Sequence, residues 1–184
     1  MKNRKLILVV CLFPFFGISQ THLKNQQFID IGLGTFDGLK PSNYAFGLSF
    51  GKYNKKLNAN VFEITYAKKE AILQSANENI GQKIPIEHFI LSYKRGINLV
   101  HNFNNTASLS IFGKANVGYE LINKNGKYFQ EYLLNNTSDY ILGIGIAPEI
   151  QIQNLFLGLN TNLNFISKYQ KFTFFPSIKY RIHL

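Results

Sequence analysis

The stretch from Phe172 to Leu184 constrains this chain more than any other. Phe172, Phe174, Pro176, Ile178, Tyr180, Ile182 and Leu184 fall on every second position, with Thr173, Phe175, Ser177, Lys179, Arg181 and His183 between them. Successive side chains of an extended backbone point to opposite sides, so this alternation makes a strand with one apolar and one largely polar face. A helix, with its period of 3.6, cannot produce the pattern.

The same alternation recurs along the chain. Seven further segments carry it: Phe28 to Phe36, Tyr44 to Lys52, Asn58 to Lys68, Ile86 to Ile97, Ala107 to Leu121, Tyr140 to Ile152 and Leu155 to Phe165. One face of each is large and apolar; the other is tiny or polar, as in Ala45, Gly47, Ser49 and Gly51, or Asn160, Asn162 and Asn164. None of the gaps has a helical period. Eight strands of roughly ten residues are enough to cross a bilayer and close the smallest barrel that does so. The fold class expected is therefore all-β, an eight-stranded antiparallel up-and-down membrane β-barrel over residues 20–184, closed by the strand at 172–184. That strand ends on an apolar residue with an aromatic four positions earlier, like the closing strand of outer-membrane barrels.

The alternation alone does not say which face is outside, and a soluble lipocalin-like barrel or sandwich has the same pattern turned inside out. Connection lengths favour the membrane. Residues 37–43, 69–85 and 122–138 read as longer loops, 53–57 and 153–154 as tight turns, and 98–106 fits this scheme least well. With an even strand number and a periplasmic amino terminus, the longer loops share the outer side. Tyr44, Tyr66, Tyr93, Tyr119, Tyr140 and Tyr180 are placed to form interfacial girdles.

The amino terminus agrees. Lys2, Arg4 and Lys5 precede an apolar run from Leu6 to Ile18, with Gly17 and Ser19 at the positions a signal peptidase reads, so residues 1–19 are expected to be a cleaved export signal. An uncleaved anchor is the alternative, weakened by Pro14, and Cys11 lacks the small residues that a lipoprotein site needs before it. Cys11 is the single cysteine. A chain cleaved at this signal therefore carries no disulfide or cysteine-based metal site, and sheet closure is the means of holding it together. The formal charge of +10 is scattered and forms no basic run, so direct nucleic-acid binding is not indicated, whereas anionic lipid head groups are a natural neighbour.

If the small and polar faces turn inward, Glu63, Lys94, Lys114, Glu120, Glu149, Lys179 and Arg181 all enter the lumen. Ions of both signs in so narrow a space should pair, which makes them a structural plug of salt bridges, with an ion path as the alternative. His88, Ser92 and Glu63 are the only constellation worth testing for catalysis, as in a lipid-modifying barrel enzyme. No catalytic, cofactor-binding or metal-ligating set is evident otherwise, and no small-molecule substrate is indicated. The loops at 69–85 and 122–138, the second bearing Tyr128, Phe129 and Tyr132, are the expected partner surfaces.

The Gly-rich first strand ending at Asp37 and Gly38, Ile84 and Pro85, and Gly118, Tyr119 and Glu120 resemble the TraO-type conjugal transfer proteins of Bacteroidetes conjugative transposons. Tyr140, Leu142 and Gly143, then Pro148, Glu149 and Ile150, and finally Asn160 extend the resemblance over most of the chain. It departs in its second strand and in having no Arg beside Asn160. The resemblance implies a non-enzymatic outer-membrane component of the mating apparatus, working with other conjugation proteins and carrying no catalytic residues. A general small barrel for adhesion or envelope stability is the alternative with the same fold.

Overall fold

The computed structural model describes residues 24–38, 40, 42–75, 78–104, 106–122 and 137–184. The expected export signal at 1–19 and the loop aromatics Tyr128, Phe129 and Tyr132 lie outside the described residues. Eight strands follow one another: β1 (Gln27–Gly34), β2 (Tyr44–Tyr53), β3 (Ala59–Ser75), β4 (Glu78–His101), β5 (Ala107–Ile122), β6 (Thr137–Ile152), β7 (Leu155–Ile166) and β8 (Phe172–His183). Each pairs antiparallel with the next, and β8 pairs with β1 from Phe28↔His183 to Gly34↔Ser177, so the sheet closes into a barrel in sequence order.

The orientation of the two faces is the decisive feature. Outward-pointing residues are bulky, apolar and exposed, while the inward ones are buried and include Asp30, Glu63, Lys94, Asn162 and Arg181. The outer surface is ordered in rows along the hydrogen-bonding direction. Ile31, Leu48, Ile64, Leu91, Val117 and Leu142 are successive register partners and form an aliphatic belt. Next to it, towards the long loops, Phe46, Tyr66, Phe89, Tyr119 and Tyr140 form an aromatic row, with ring centroids 4.9 Å apart for Tyr66 and Phe89 and 5.9 Å for Tyr119 and Tyr140. On the other side Phe50, Phe62 and Tyr93 form the start of a second such row. An aliphatic belt flanked by aromatics is the surface a bilayer requires, and water would oppose it. Ile64→Arg, in the middle of the belt, is therefore expected to cost about 2–4 kcal/mol of stability in lipid vesicles. Urea titration measures this, and a neutral result would mean that the face meets water.

The short turns at the amino-terminal end are built by asparagines. Asn54 Oδ1 accepts the amides of Lys56 and Asn58 at 2.8 and 3.1 Å, and Asn102 Oδ1 accepts those of Thr106 and Ala107 at 2.7 and 3.0 Å. The opposite end differs from the loop scheme read in the sequence. The connection expected at 69–85 is a hairpin: β3 and β4 stay paired from Lys69↔Ile86 to Ser75↔Glu78. Pairing of β3 with β2 ends at Lys68 and that of β4 with β5 at Ile86, so this ribbon rises past the barrel rim by roughly 20 Å at the usual rise per residue. The turn expected at 98–106 is also shorter, because β4 continues through a bulge near Asn98 to His101.

Candidate functional site

The lumen is filled in layers, each built from inward positions that the alternation dictates. At the amino-terminal mouth, Arg181 lies with its guanidinium 3.7 Å from the Phe28 ring centre and 3.8 Å from that of Phe156. Its Nε and Nη2 donate to the two oxygens of Asp30, each at 2.6 Å, and Nη1 donates to the Tyr53 hydroxyl. This is a forked, two-point ion pair between stacked rings, the geometry that suits a guanidinium better than an ammonium. Ser49 Oγ donates to Asp30 from the next strand at 3.2 Å.

The next layer holds five of the expected charges. Lys94 Nζ lies 2.7 Å from the Glu63 carboxylate and donates to Asn160 Oδ1 at 2.9 Å. Lys179 Nζ bridges Glu149 at 2.6 Å and Glu63 at 3.2 Å. Two carboxylates thus serve two lysines in a closed set, with Lys94 and Glu149 4.0 Å apart across it. Lys114 shares the layer without such a partner. Backbone space is arranged around these chains: a Cβ on Gly32 would come within 3.0 Å of Lys179 Cγ, and one on Gly145 within 3.1 Å of Lys114 Cγ and 2.1 Å of the Thr161 carbonyl. Beyond lies an uncharged relay, Ser92 Oγ to Asn116, Asn116 to Asn162 and Asn162 to Thr173, at 2.8, 3.1 and 2.9 Å.

At the loop end, Glu120 sits apart from the other six charges. Its carboxylate accepts from Ser167 Oγ at 3.0 Å and from the amides of Lys168 and Tyr169 at 2.5 and 3.2 Å, tying the connection between β7 and β8 to the barrel. His88 Nε2 stands 3.4 Å from the same carboxylate, and its ring packs 4.7 Å from Phe36. Asp37 and Lys69 close the rim. Lys69 Nζ meets Asp37 at 2.7 Å, also contacts Gln170 Oε1, and stands 4.7 Å over the Phe36 ring. Asp37 in turn accepts the Phe174 amide at 2.6 Å. Burial and the nearby Asp37 carboxylate push the Tyr169 hydroxyl pKa above its usual value.

All seven charges named from the sequence therefore point inward and are buried, in three groups rather than one network. Sequence reading missed Asp30, the counter-ion of Arg181. Its signal was present: it sits on the inward register of the first strand, opposite Arg181 once the ends meet. Of the constellation of His88, Ser92 and Glu63, the last two are register partners on adjacent strands, but His88 is not brought to them. Ile90 is the inward residue between His88 and Ser92, Ser92 donates to Asn116, and both oxygens of Glu63 are engaged by lysines and Thr65. Among the described residues no cluster of three metal-ligating side chains occurs.

The family model for the conjugative transposon protein TraO matches residues 23–184, the whole length of this barrel. The chain belongs to the TraO family. No curated protein sequence matches it. Solved structures similar to this TraO-family barrel include the Yersinia pestis outer membrane protein Ail in a phospholipid bilayer nanodisc, with a TM-score of 0.54 and 11% identity, covering 86% of this chain and 100% of that one. Neisserial surface protein A gives a TM-score of 0.53 at 8% identity, covering 85% and 96%. Ail of Yersinia pestis in complex with the heparin analogue sucrose octasulfate gives 0.51 at 14% identity, covering 87% and 100%. At these identities the likeness is one of fold: a closed eight-stranded barrel of the outer-membrane kind.

Proposed function

We propose that this TraO-family chain is exported through a signal cleaved after residue 19, inserts into the outer membrane and serves there as a non-enzymatic part of the conjugation apparatus. It acts by contact with other transfer proteins through the loop end of the barrel. The observation that carries this reading is a lipid-compatible exterior around a plugged interior, in a chain of a conjugation family. Among the described residues, paired charges and rings fill the lumen in layers, which supports a contribution made at the rims.

The ribbon of residues 69–86 is the element best suited to partner contact, together with the loop bearing Tyr128, Phe129 and Tyr132. Among the described residues neither strand of the ribbon has a second neighbour, so both ladder edges are available. Such edges accept an added strand from another chain, with main-chain hydrogen bonds supplying affinity. A two-stranded ribbon is marginal on its own, and a partner would also stabilise it.

The test separates insertion from transfer. Residues 70–85 are replaced by a two-residue Asn-Gly turn joining Lys69 to Ile86, which are already paired. Outer-membrane fractions should still show heat-modifiable migration on gels, as the barrel itself is intact. Transfer frequency should fall roughly thirtyfold, the loss expected when an interface loses an anchor of about 2 kcal/mol. Undiminished transfer with a correctly inserted variant would remove the ribbon from the interface.

A further inference from the structure

The exposed cations at the short-turn end of the barrel are gathered on one side of it. Lys24 leads into β1, Lys52 ends β2, Lys55 and Lys56 sit on the turn between β2 and β3, and Arg95 lies on β4; all five are exposed. The turns at 102–106 and 153–154, on the other side, carry neither lysine nor arginine. Among the described residues, none of the five lies within ion-pair distance of a carboxylate side chain. Asp30, the acid nearest this mouth, is buried and held by Arg181. The opposite end differs, since Glu70, Glu87 and Asp139 are interspersed with its lysines.

Two of these cations flank an asparagine in one outward row. Lys52, Asn60 and Arg95 are successive register partners on β2, β3 and β4, one step beyond Phe50, Phe62 and Tyr93 towards the short turns. Register partners of an antiparallel pair have Cα atoms about 5 Å apart, so the long side chains of Lys52 and Arg95 reach the space over Asn60 from both sides. The Tyr93 hydroxyl donates to Asn60 Oδ1 at 3.1 Å, which leaves the amide nitrogen as the donor of that side chain. A position next to an aromatic row is where hydrocarbon gives way to head groups.

We propose that Lys52, Asn60 and Arg95 form a binding site for the phosphate of an anionic phospholipid in the leaflet at the short-turn end, with Lys55 and Lys56 adding to the positive potential. The guanidinium offers a planar pair of donors to two phosphate oxygens and the ammonium a point charge. The direction of the row selects a lipid over a soluble partner, because these residues stand on the lipid-facing side of the wall and not in the mouth. The shortage of carboxylates selects the head group. A zwitterionic lipid brings an ammonium that none of the described side chains around the patch receives, whereas phosphatidylglycerol brings its phosphate charge and hydroxyls alone. The site rests on the reading of the exterior as lipid-facing and is independent of the role in conjugation.

The barrel refolded into detergent micelles, titrated with phosphatidylglycerol or phosphatidylcholine and followed by native mass spectrometry, tests the assignment. Heat-modifiable migration of the same samples shows that each variant is folded, so loss of the site is told apart from loss of the barrel. A basic side chain near an anionic lipid surface strengthens binding about fivefold, so Lys52→Gln combined with Arg95→Gln is expected to raise the phosphatidylglycerol dissociation constant about 25-fold. Lys40→Gln combined with Lys171→Gln removes the same net charge from the loop end, more than a screening length away, and is expected to leave it within about twofold. Equal weakening by the two pairs would overturn the site, marking attraction by net charge alone. Equal affinity of the parent for the two lipids would do the same. So would displacement of the bound lipid by excess inorganic phosphate at constant ionic strength, which would make this a site for a free anion.

Discussion

Glu63→Gln is expected to destabilise the folded barrel by about 3–5 kcal/mol, the usual cost of removing one partner from a buried ion pair. The amide keeps the shape and one acceptor oxygen but removes the charge that holds both Lys94, at 2.7 Å, and Lys179, at 3.2 Å. Three lysines then share Glu149 alone in a layer where water has little access. The loss is one of uncompensated charge, so removing a cation should restore much of it. Glu63→Gln combined with Lys94→Met is expected to recover most of the stability, because an apolar chain of similar length replaces an ion left with only Asn160 at 2.9 Å and a long 4.0 Å approach to Glu149. Urea unfolding in vesicles, read by tryptophan-free signals such as tyrosine fluorescence or by heat-modifiable migration, measures both variants. A single variant within about 0.5 kcal/mol of the parent would show the lumen to be wet and the charges screened.

The fold was legible because membrane barrels write their topology in a period of two. Each strand must set lipid against lumen, so Leu142, Ile144 and Ile146 alternate with Gly143, Gly145 and Ala147 whatever else the sequence encodes. That logic fails where the bilayer ends. Above the rim lipid no longer sets one face of a ribbon against the other, the contrast between faces is no longer required, and the polar run Lys69 to Pro85 reads as a loop although it continues two strands. Hydrophilic composition signals a loop only by correlation.

The lumen was legible in membership but not in pairing. Alternation assigns Glu63, Lys94 and Arg181 to the inside one strand at a time. Which of them touch depends on register between strands far apart in sequence and on the reach of each side chain across the lumen. Lys179 and Glu63 meet over a distance of more than a hundred residues in the chain, on strands that are not neighbours in the sheet. His88 illustrates the opposite error. It shares a face with Ser92, but four residues of strand separate their Cα atoms by about 13 Å, and Ile90 fills the space between.

Asp30→Ala is expected to have an effect as large as any in the barrel, again about 3–5 kcal/mol, because it strands Arg181. The guanidinium cannot give up its proton at any ordinary pH, so unlike a lysine it has no neutral form in which to wait out the loss. It is 1% exposed, fixed between the rings of Phe28 and Phe156, and its remaining contact is the Tyr53 hydroxyl. The strands involved make the consequence specific. Asp30 lies on β1 and Arg181 on β8, and the two are register partners across the seam where the sheet closes. Every other hairpin can form from residues near in sequence, whereas this seam joins the two ends of the chain and carries the largest closure entropy. The fork between Asp30 and Arg181 therefore bears on closure more than on any single hairpin. Asp30→Ala should slow folding into vesicles as well as lower stability, while an equally buried substitution away from the seam, such as Asn116→Ala, should leave the folding rate nearer that of the parent. Time-resolved appearance of the heat-modifiable band measures the rate. Equal slowing by both variants would mean that the seam is not where folding waits.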